Sequence, residues 1–349
     1  MEATKRLGIL TGGGDCPGLN AAIRATAKTA IQMGYEVIGI RNGWRGFIDN
    51  ENKILDSDNT SGIIDKGGTI LGTSRWSPFQ IERGPQRVFD GFKKLGLEAL
   101  VVLGGDGTLS CASRLFKMGL PIVGIPKTID NDVKETDYTI GFQTSVQIAT
   151  EALDRLRSTA ESHHRVMLLE VMGRHTGWIA TYAGMASGAD AILIPEIPLD
   201  KEGIEKLCRM LRERNRKGAT FSIVVVAEGT ELEGKTVGKH SFDISKKEKT
   251  YGLGGIGNVL GELIGRETAL ETRVSSLDYI QRGGTPVAYD RSLATAFGVK
   301  ATELIRDKKY GQMTALKGNK ITSVLLEKVA DGVKTVSLNA YRIAQIFFG

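Results

Sequence analysis

The segment Arg6-Leu-Gly-Ile-Leu-Thr-Gly-Gly-Gly-Asp-Cys-Pro-Gly18 decides the fold class of this chain. Its apolar start predicts a buried β-strand over 6–10, and its glycine-rich turn leads into residues 20–33, where Ala, Ile and Met recur at helical spacing. Consecutive glycines allow several backbone N–H groups to point at one anion, and the following helix adds the positive end of its dipole. The turn therefore indicates a phosphate site, unless it only closes a strand–helix unit.

The same alternation of apolar runs and helical patterns continues along the chain. The later predicted strands cover residues 36–40, 99–103, 121–125, 165–171, 191–194 and 222–227. The later predicted helices cover residues 109–118, 144–159, 177–187 and 202–217. This pattern predicts an α/β fold of two lobes, each a mainly parallel sheet flanked by helices, with ligands at the carboxyl ends of strands. Residues 230–257 are less periodic, and we interpret them as a surface excursion or lid.

The composition excludes several other classes of protein. The 44 glycines exceed the roughly 24 expected at average usage, but they follow no three-residue period and only 8 prolines accompany them, which excludes collagen. No apolar stretch approaches the roughly 20 residues that cross a bilayer, and no signal-peptide core precedes the first strand, so we expect a cytoplasmic protein without a membrane partner. Three widely spaced cysteines, Cys16, Cys111 and Cys208, predict buried thiols rather than disulfides or a zinc site.

The chain carries a positive net charge of +6, from 46 Lys and Arg residues against 40 Asp and Glu residues. No long basic run and no aromatic-rich basic segment accompanies this excess, so we expect no nucleic-acid partner. The excess indicates either a solvated basic surface or arginines that face anionic small molecules. Four arginines of the second half are either surface residues or bidentate phosphate ligands, and these are Arg165, Arg174, Arg273 and Arg282.

Two further turns after predicted strands carry carboxylates. In Gly104-Gly-Asp-Gly-Thr108, Asp106 stands where Mg²⁺ would bridge phosphate oxygens, or alternatively it caps the following helix. In Pro126-Lys-Thr-Ile-Asp-Asn-Asp132, an extended backbone would send Asp130 and Asp132 to opposite sides, so that one acts as a general base and the other orients groups or contacts the metal.

Lys127 of the third turn would neutralise charge on a transferring phosphoryl group. The structural alternative for this turn is a loop held by Asx hydrogen bonds. Together, the three turns supply two phosphate cradles, a metal carboxylate and a base, which are the parts that phosphoryl transfer needs.

Eight motifs along nearly the whole chain resemble, in the same order, those of the 6-phosphofructokinase family, of the A type and in a mixed-substrate subgroup. They are TGGGDCPGLNAAIR, GGTILGTSR, GGDGT, PKTIDND, DYTIGFQT, EVMGRHTGW, AEGT and YIQRGGTPVAYDR. The resemblance implies the phosphofructokinase fold, Mg²⁺-dependent transfer of a phosphoryl group to the C1 hydroxyl of fructose 6-phosphate in glycolysis, and a homodimer or homotetramer with a shared sugar site. It also implies a donor lobe of residues 1–141 plus about 281–331 and a sugar-phosphate lobe of residues 142–280 plus about 332–349.

The resemblance implies individual roles as well. Asp130 would be the base, with Thr128 and Lys127 as further catalytic residues, Asp106 would coordinate Mg²⁺, and Arg174 would stabilise the transferring phosphoryl group. The residues implied for the donor site are Gly13, Gly14, Arg75, Trp76, Gly105, Asp106, Gly107 and Thr108. The residues implied for the sugar phosphate are Thr128, Ile129, Asp130, Arg165, Met172, Gly173, Arg174, Glu228, Arg273, Tyr279, Ile280, Gln281 and Arg282, and in this family the residues at Arg165 and Arg273 typically come from a neighbouring subunit.

Two positions bear on the identity of the phosphoryl donor. Gly107 is similar to members that use ATP, because members that use pyrophosphate usually have Asp there, which would repel the α-phosphate of a nucleotide. Lys127 is instead similar to members that use pyrophosphate. Excluding ATP requires an obstacle and a lysine is not one, so the sequence favours ATP as the donor, with pyrophosphate as the alternative.

Overall fold

A computed structural model of the protein describes residues 5–232, 235–236, 238–243, 248–253, 255–330 and 332–349. The chain divides into two compact units, and each unit is built from two segments. The first unit contains Met1–Thr144 and Arg282–Val333, and the second contains Ser145–Gln281 and Lys334–Gly349. The interpretation of residues 230–257 as a lid depends partly on residues 233–234, 237, 244–247 and 254, which lie outside the described residues.

The helices and strands follow the predicted alternation. The strands are β1 (Arg6–Thr11), β2 (Glu36–Ile40), β3 (Asn52–Leu55), β4 (Leu97–Gly104), β5 (Ile122–Pro126), β6 (Val166–Val171), β7 (Ala191–Leu193), β8 (Ser222–Ala227), β9 (Glu231–Leu232), β10 (Lys235–Thr236), β11 (Gly238–Asp243), β12 (Glu248–Leu253), β13 (Thr272–Ser276), β14 (Gln312–Lys317) and β15 (Lys320–Leu325). The α-helices are α1 (Leu19–Gln32), α2 (Arg45–Asp49), α3 (Gly84–Lys94), α4 (Asp106–Lys117), α5 (Phe142–His163), α6 (Trp178–Ala186), α7 (Lys201–Arg216), α8 (Ile256–Thr268), α9 (Ala288–Arg306) and α10 (Leu338–Gln345). Short 3₁₀ helices cover Pro78–Gln80, Asp278–Arg282 and Leu326–Ala330. Every strand and helix that the sequence predicts has its counterpart here.

A sheet in the order β15-β14-β5-β4-β1-β2-β3 forms the centre of the first unit. The five inner strands run parallel, whereas β3 and β15 pair antiparallel at the two edges. The central strand β4 is buried along almost its whole length, because a parallel sheet is covered on both faces. This burial explains its unbroken apolar run, and the predicted mainly parallel sheet is confirmed.

Helices α1 and α9 pack closely in the first unit, at a glycine. A Cβ on Gly298 would stand only 2.7 Å from the Cβ of Ala25 and 2.9 Å from the carbonyl oxygen of Ala22. Any larger residue at this position would push the two helices apart. The glycine therefore sets the distance between α9 and the helix that follows the first glycine-rich turn.

The second unit contains a smaller parallel sheet in the order β13-β6-β8-β7. Its core joins sheet residues such as Leu168 and Val224 to Leu211 of α7 and Ile264 of α8. Strands β9 and β10, and strands β11 and β12, pair as short antiparallel ribbons. Within the described ranges, no helix combines the length and the apolar character that crossing a bilayer requires.

Candidate active site

The three predicted phosphate and carboxylate turns lie next to one another in the first unit, because they follow β1, β4 and β5, which are adjacent and parallel. The N–H of Gly12 donates to the carbonyl of Leu103, 2.9 Å away, and the N–H of Lys127 donates to the carbonyl of Gly104, also at 2.9 Å. These bonds connect each turn to its neighbour. The carboxyl edge of this sheet therefore carries together the three turns in which the sequence predicts donor, metal and base residues.

Lys127 is the side chain that ties two of these turns together. It is 1% exposed, and its Nζ donates to the carbonyls of Gly12 at 2.8 Å and Gly14 at 2.5 Å. Burial lowers the pKa of this ammonium below its ordinary value. The structure thus gives the lysine a structural task in the glycine turn, and its expected contact with a phosphoryl group stays a prediction.

The first turn uses its glycines differently from the sequence expectation. The N–H of Gly12 is occupied by Leu103, and the N–H of Gly13 donates to the carbonyl of Ser74 at 2.9 Å. The expectation that these two N–H groups point at an anion is therefore wrong. Glycine is needed at position 12 for close packing, because a Cβ there would stand 2.7 Å from the side chain of Thr108.

Arg282 closes over the third glycine of this turn. A Cβ on Gly14 would overlap the Nη1 of Arg282, so only glycine leaves room for the guanidinium. The Nε of Arg282 is buried and has no hydrogen-bond partner in the described part of the chain. An unpaired guanidinium N–H beside a glycine turn suits an anion. In this unit, Arg282 therefore lies with the predicted donor residues.

The loop after β5 is held in shape by Asn131. This residue is fully buried and has a φ of 51°, in the left-handed region. Its Oδ1 accepts from the N–H of Thr139 at 3.1 Å, and its Nδ2 donates to the carbonyl of Asp137 at 3.3 Å. The expectation of an extended backbone between Asp130 and Asp132 is therefore wrong, because the residue between them turns the chain.

Two further hydrogen bonds hold the neighbouring residues of this loop, and one of them comes from Thr139. The hydroxyl of Thr139 donates to the carbonyl of Thr128 at 2.7 Å, and the N–H of Asp130 donates to the Oγ1 of Thr128 at 3.1 Å. Ile129 is buried at 2% exposure. Thr128 and Asp130 thus lie just after β5, and hydrogen bonds hold the backbone carbonyl of Thr128 and the backbone N–H of Asp130.

A buried carboxylate anchors that same segment. Asp290 is 0% exposed, and its two oxygens accept from the N–H of Gly141 at 2.9 Å and from the N–H and hydroxyl of Thr144 at 2.8 and 2.5 Å. Burial raises the pKa of this carboxyl, although its hydrogen bonds oppose the shift. Asp290 therefore caps the start of α5 from the first turn of α9.

The second turn presents Asp106 as the first residue of α4, after Gly105 in extended conformation. A Cβ on Gly107 would meet no heavy atom within 4 Å, whereas Thr108 is buried. No group of three or more His, Cys, Asp or Glu side chains suited to a metal occurs among the described residues. A single carboxylate still fits Mg²⁺, which keeps several waters and binds through one or two carboxylates plus substrate phosphates.

The remaining predicted donor residues, Arg75 and Trp76, lie beside this edge through their backbone neighbour Ser74. Arg75 is exposed. Trp76 is half-buried and packs against the apolar core of the first unit. The structure therefore leaves the arginine available to a ligand and uses the tryptophan mainly in packing.

In the second unit, four of the predicted sugar residues lie at the carboxyl ends of β6 and β8, and these are Met172, Gly173, Arg174 and Glu228. The N–H of Glu228 donates to the carbonyl of Val171 at 2.8 Å, which places Glu228 beside the start of the Met172–Arg174 turn. Gly173 has a φ of 143°, and Arg174 is exposed. This edge thus presents one guanidinium and one carboxylate on adjacent strand ends.

The buried side chain of Gln281 holds the Met172–Arg174 turn by a hydrogen bond. It is 0% exposed, its Oε1 accepts from the N–H of Met172 at 2.6 Å, and its Nε2 donates to the hydroxyl of Ser145 at 3.3 Å. Its neighbours Tyr279 and Ile280 are 70% and 65% exposed. The bonding of Gln281 is that of a positioning residue, whereas the other two offer surface to a ligand.

Arg165 and Arg273 lie at the opposite edge of the same sheet. Arg165 precedes β6 and Arg273 is the second residue of β13, so both stand at the amino ends of their strands. A six-residue strand is about 20 Å long, which separates them from Met172–Arg174. Within one chain, the structure does not bring these two arginines together with Arg174 and Glu228.

Three buried residues that shape the site have no role in the prediction from sequence. These are Asn131, Asp290 and the hydroxyl donor Thr139, and all three stand inside quoted motifs. The signal that was available is a polar residue between two aspartates in one motif and an Asp-Arg pair in another. The partners of Asp290 lie 146 and 149 residues away and those of Asn131 lie six and eight residues away, so only the fold reveals these bonds.

The chain is similar to known proteins over most of its length. Residues 6–305 match the family model described as Phosphofructokinase. The chain is 46% identical over 348 residues to the "Pyrophosphate--fructose 6-phosphate 1-phosphotransferase" of Amycolatopsis methanolica, covering 99% of this chain and 100% of the relative. It is 47% identical over 344 residues to the "ATP-dependent 6-phosphofructokinase 3" of Streptomyces coelicolor, covering 97% of this chain and 99% of the relative.

Among solved structures, Pichia pastoris phosphofructokinase in the T-state matches with a TM-score of 0.82 and 32% identity, over 99% of this chain and 37% of that chain. This chain therefore spans little more than a third of the yeast chain. The family model covers most of the sequence, and the two bacterial relatives match it almost end to end. The chain belongs to the phosphofructokinase family.

Proposed function

We propose that this protein is a 6-phosphofructokinase, which transfers a phosphoryl group to the C1 hydroxyl of fructose 6-phosphate and gives fructose 1,6-bisphosphate. The observation that carries the proposal is the junction of three strand ends in the first unit through Lys127, whose N–H binds Gly104 and whose ammonium binds Gly12 and Gly14. A glycine turn, Asp106 and Asp130 are thereby held at one edge. Phosphoryl transfer needs this positioning more than it needs covalent chemistry by the protein.

In this proposal, Asp130 takes the proton from the C1 hydroxyl, and Thr128 positions the loop that carries it. Mg²⁺, held by Asp106, would neutralise charge on the donor phosphates. Arg174 stabilises the transferring group, and Glu228 accepts hydrogen bonds from sugar hydroxyls. Localisation in the cytoplasm, where thiols stay reduced, is supported by the free and buried Cys16, Cys111 and Cys208.

We propose a homodimer or homotetramer in which a neighbouring subunit completes the sugar site. Arg165 and Arg273 stand at the amino edge of the second sheet, whereas Met172–Arg174 and Glu228 stand at its carboxyl edge. A single chain cannot close all of them around one sugar phosphate. A second copy that presents its amino edge would supply the two missing arginines.

We propose ATP as the phosphoryl donor. The open space beside Gly107 supports this choice, because a nucleotide needs room where a carboxylate would otherwise stand. Pyrophosphate is the second candidate, favoured by the lysine at position 127 and by the name of the Amycolatopsis methanolica relative. The Streptomyces coelicolor relative carries the ATP-dependent name at similar identity.

The test is a steady-state assay of the purified protein with fructose 6-phosphate and Mg²⁺, with ATP and pyrophosphate compared at equal concentration. We expect turnover with both Mg²⁺ and the sugar phosphate present, and a higher kcat/KM with ATP. A higher kcat/KM with pyrophosphate would overturn the donor assignment alone. No turnover of fructose 6-phosphate with either donor would overturn the proposed activity itself.

A further inference from the structure

A carboxylate occupies the space between the two arginines at the amino edge of the second sheet. The Oε1 of Glu271 accepts from the Nη2 of Arg165 at 2.9 Å and from the Nη2 of Arg273 at 2.7 Å. One oxygen therefore receives two guanidinium donors at once. Two guanidinium groups that converge on one oxygen form an arrangement that also suits a phosphate oxygen.

The strand register produces this cluster. The N–H of Val166 donates to the carbonyl of Glu271 at 2.9 Å, and Thr272 pairs with Val166 across β13 and β6. Arg165 and Glu271 therefore face each other at the starts of neighbouring strands. Glu271 and Arg273 are two residues apart, so the period of the strand sends them to the same face.

The arginines keep binding capacity that Glu271 does not use. The Nε of Arg165 is buried and has no hydrogen-bond partner in the part of the chain that the structure describes. Only the Oε1 of Glu271 is bonded to the two guanidiniums, whereas a phosphate monoester offers three oxygens. A phosphate in this position would therefore satisfy more of the cluster than the carboxylate does.

Charge repulsion keeps the Glu271 carboxylate and a phosphate from binding the two arginines at the same time. Arg165, then Arg273 and His163, lower the pKa of Glu271 below its ordinary range, so this carboxylate stays charged. A dianionic phosphate and a carboxylate within a few ångströms of each other repel. The Glu271 side chain is 46% exposed in the single chain, so it has room to move away from the arginines when another anion enters.

We propose that Glu271 is an internal competitor for the phosphate group of the substrate, so that it sets the affinity of Arg165 and Arg273 for fructose 6-phosphate. This inference rests on the proposed function, which makes the two arginines ligands of the 6-phosphate. In the absence of substrate, Glu271 accepts hydrogen bonds from both guanidiniums. When the sugar phosphate binds, Glu271 gives up both bonds, and the free energy of that exchange weakens binding.

Glu271→Gln tests the proposal, because glutamine keeps the shape and the acceptor oxygen but removes the charge. We expect the KM for fructose 6-phosphate to fall by roughly tenfold, with kcat unchanged within about twofold. The matched control is Glu267→Gln, which removes an exposed carboxylate paired with Arg266 at 3.1 Å and leaves KM unchanged. A KM for the Glu271 variant equal to or above that of the wild type would overturn the proposal.

Calorimetric titrations separate this inference from the proposed function. Inorganic phosphate and fructose 6-phosphate are each titrated into the wild type, Glu271→Gln, and the double variant Arg165→Met with Glu271→Gln. Tighter phosphate binding by Glu271→Gln, lost again in the double variant, supports the competitor role even if the wild type does not turn over the sugar. Equal or weaker phosphate binding by Glu271→Gln contradicts it whatever the enzymatic activity, and equal melting temperatures exclude a folding effect.

Discussion

Asp130 is the residue on which the proposed chemistry depends most directly. It stands in a loop whose neighbours are fixed by side-chain bonds to the backbone, so its replacement removes a reacting group without removing that support. We expect Asp130→Ser to lower kcat by about 10²–10⁴-fold, the usual contribution of a general base, with the KM for fructose 6-phosphate changed only a few fold. Steady-state kinetics measure both. Unchanged turnover would contradict the base assignment.

Asn131 contributes through its backbone angle and through its side chain, and two variants separate the contributions. Glycine tolerates the φ of 51°, whereas alanine does not, and neither makes the bonds to Thr139 and Asp137. We expect both variants to be less stable than the wild type, and alanine to be less stable than glycine by about 1 kcal/mol. Urea unfolding gives the two free energies. Equal stability of the two variants would show that the angle carries no strain.

Because Lys127 is buried, the stability of the first unit changes with pH in the alkaline range. Because burial lowers its pKa in the folded state, the full cost of a buried ammonium is present below that lowered pKa. As the pH rises toward the ordinary value of 10.5, the folded protein releases this proton before the unfolded chain does, and stability is gained. We expect the unfolding free energy of the wild type, relative to Lys127→Met, to rise as the pH rises toward 10.5.

The control for this comparison is Lys117→Met, which removes a 63% exposed lysine. Its stability relative to the wild type should show no such rise. A wild-type advantage over Lys127→Met that stays constant or falls with pH would contradict the argument.

At the scale of elements, the position of α5 depends on a carboxylate from another helix. Asp290 of α9 accepts three hydrogen bonds from Gly141 and Thr144, so a side chain of α9 holds the first turn of α5. The preceding residues carry Thr139, which bonds Thr128. The packing of two helices is thereby transmitted to the loop that carries the proposed base.

Asp290→Asn tests this connection. The amide would turn an N–H₂ group toward donors that now face a carboxylate oxygen, and a buried group left without a partner costs about 1–3 kcal/mol. We therefore expect the unfolding free energy to fall by roughly that amount, with a loss of turnover. Asp154→Asn, which alters an exposed residue of α5 itself, is the matched control and should change neither.

Several strands and helices with regular patterns are predicted from the sequence, whereas the helices α3, α8 and α9 and the irregular edge strand β3 are not. Residues 99–103 of β4 and residues 223–227 of β8 are continuous apolar runs, and α1 and α7 show helical spacing, so all four elements are predicted. The antiparallel edge strand β3 contains Asn, Lys, Ile and Leu with no clean alternation. In the same way, motifs revealed Asp106 and Asp130, whereas the bonds of Lys127 and Asn131 depend on partners more than five residues away.

At the scale of the whole molecule, the three cysteines lie in the buried interior of the two units. Cys111 belongs to the core of the first unit and Cys208 to that of the second, while Cys16 is 0% exposed beside the first turn. Burial raises the pKa of the Cys16 and Cys111 thiols to about 12, and that of Cys208 above its ordinary value. Thiolate, the reactive form, is therefore scarce at neutral pH.

We expect the native protein to react with a thiol reagent at pH 8 at none of its three cysteines over an hour. A thiol with a pKa of about 12 is ionised in only about one molecule in 10⁴ at that pH. Absorbance of the released thiolate measures the reaction, and the same protein in denaturant should release three equivalents. Rapid labelling of the native protein would show that one of the units opens readily.

Both units are discontinuous, and this arrangement constrains how the chain is made. Strand β5 pairs in parallel with β4 on one side and with β14 on the other, and β14 follows the whole segment Ser145–Gln281 in sequence. A ribosome therefore releases β1 to β5 first and adds the segment of the second unit before the sheet of the first receives its sixth and seventh strands. At about 5–20 residues per second, that interval is on the order of ten seconds. During synthesis, β5 is therefore an edge strand with unpaired backbone groups, and other nascent chains on the same messenger RNA expose the same edge. Two such edges can pair with each other, so a chaperone that covers the edge would raise the yield of folded protein.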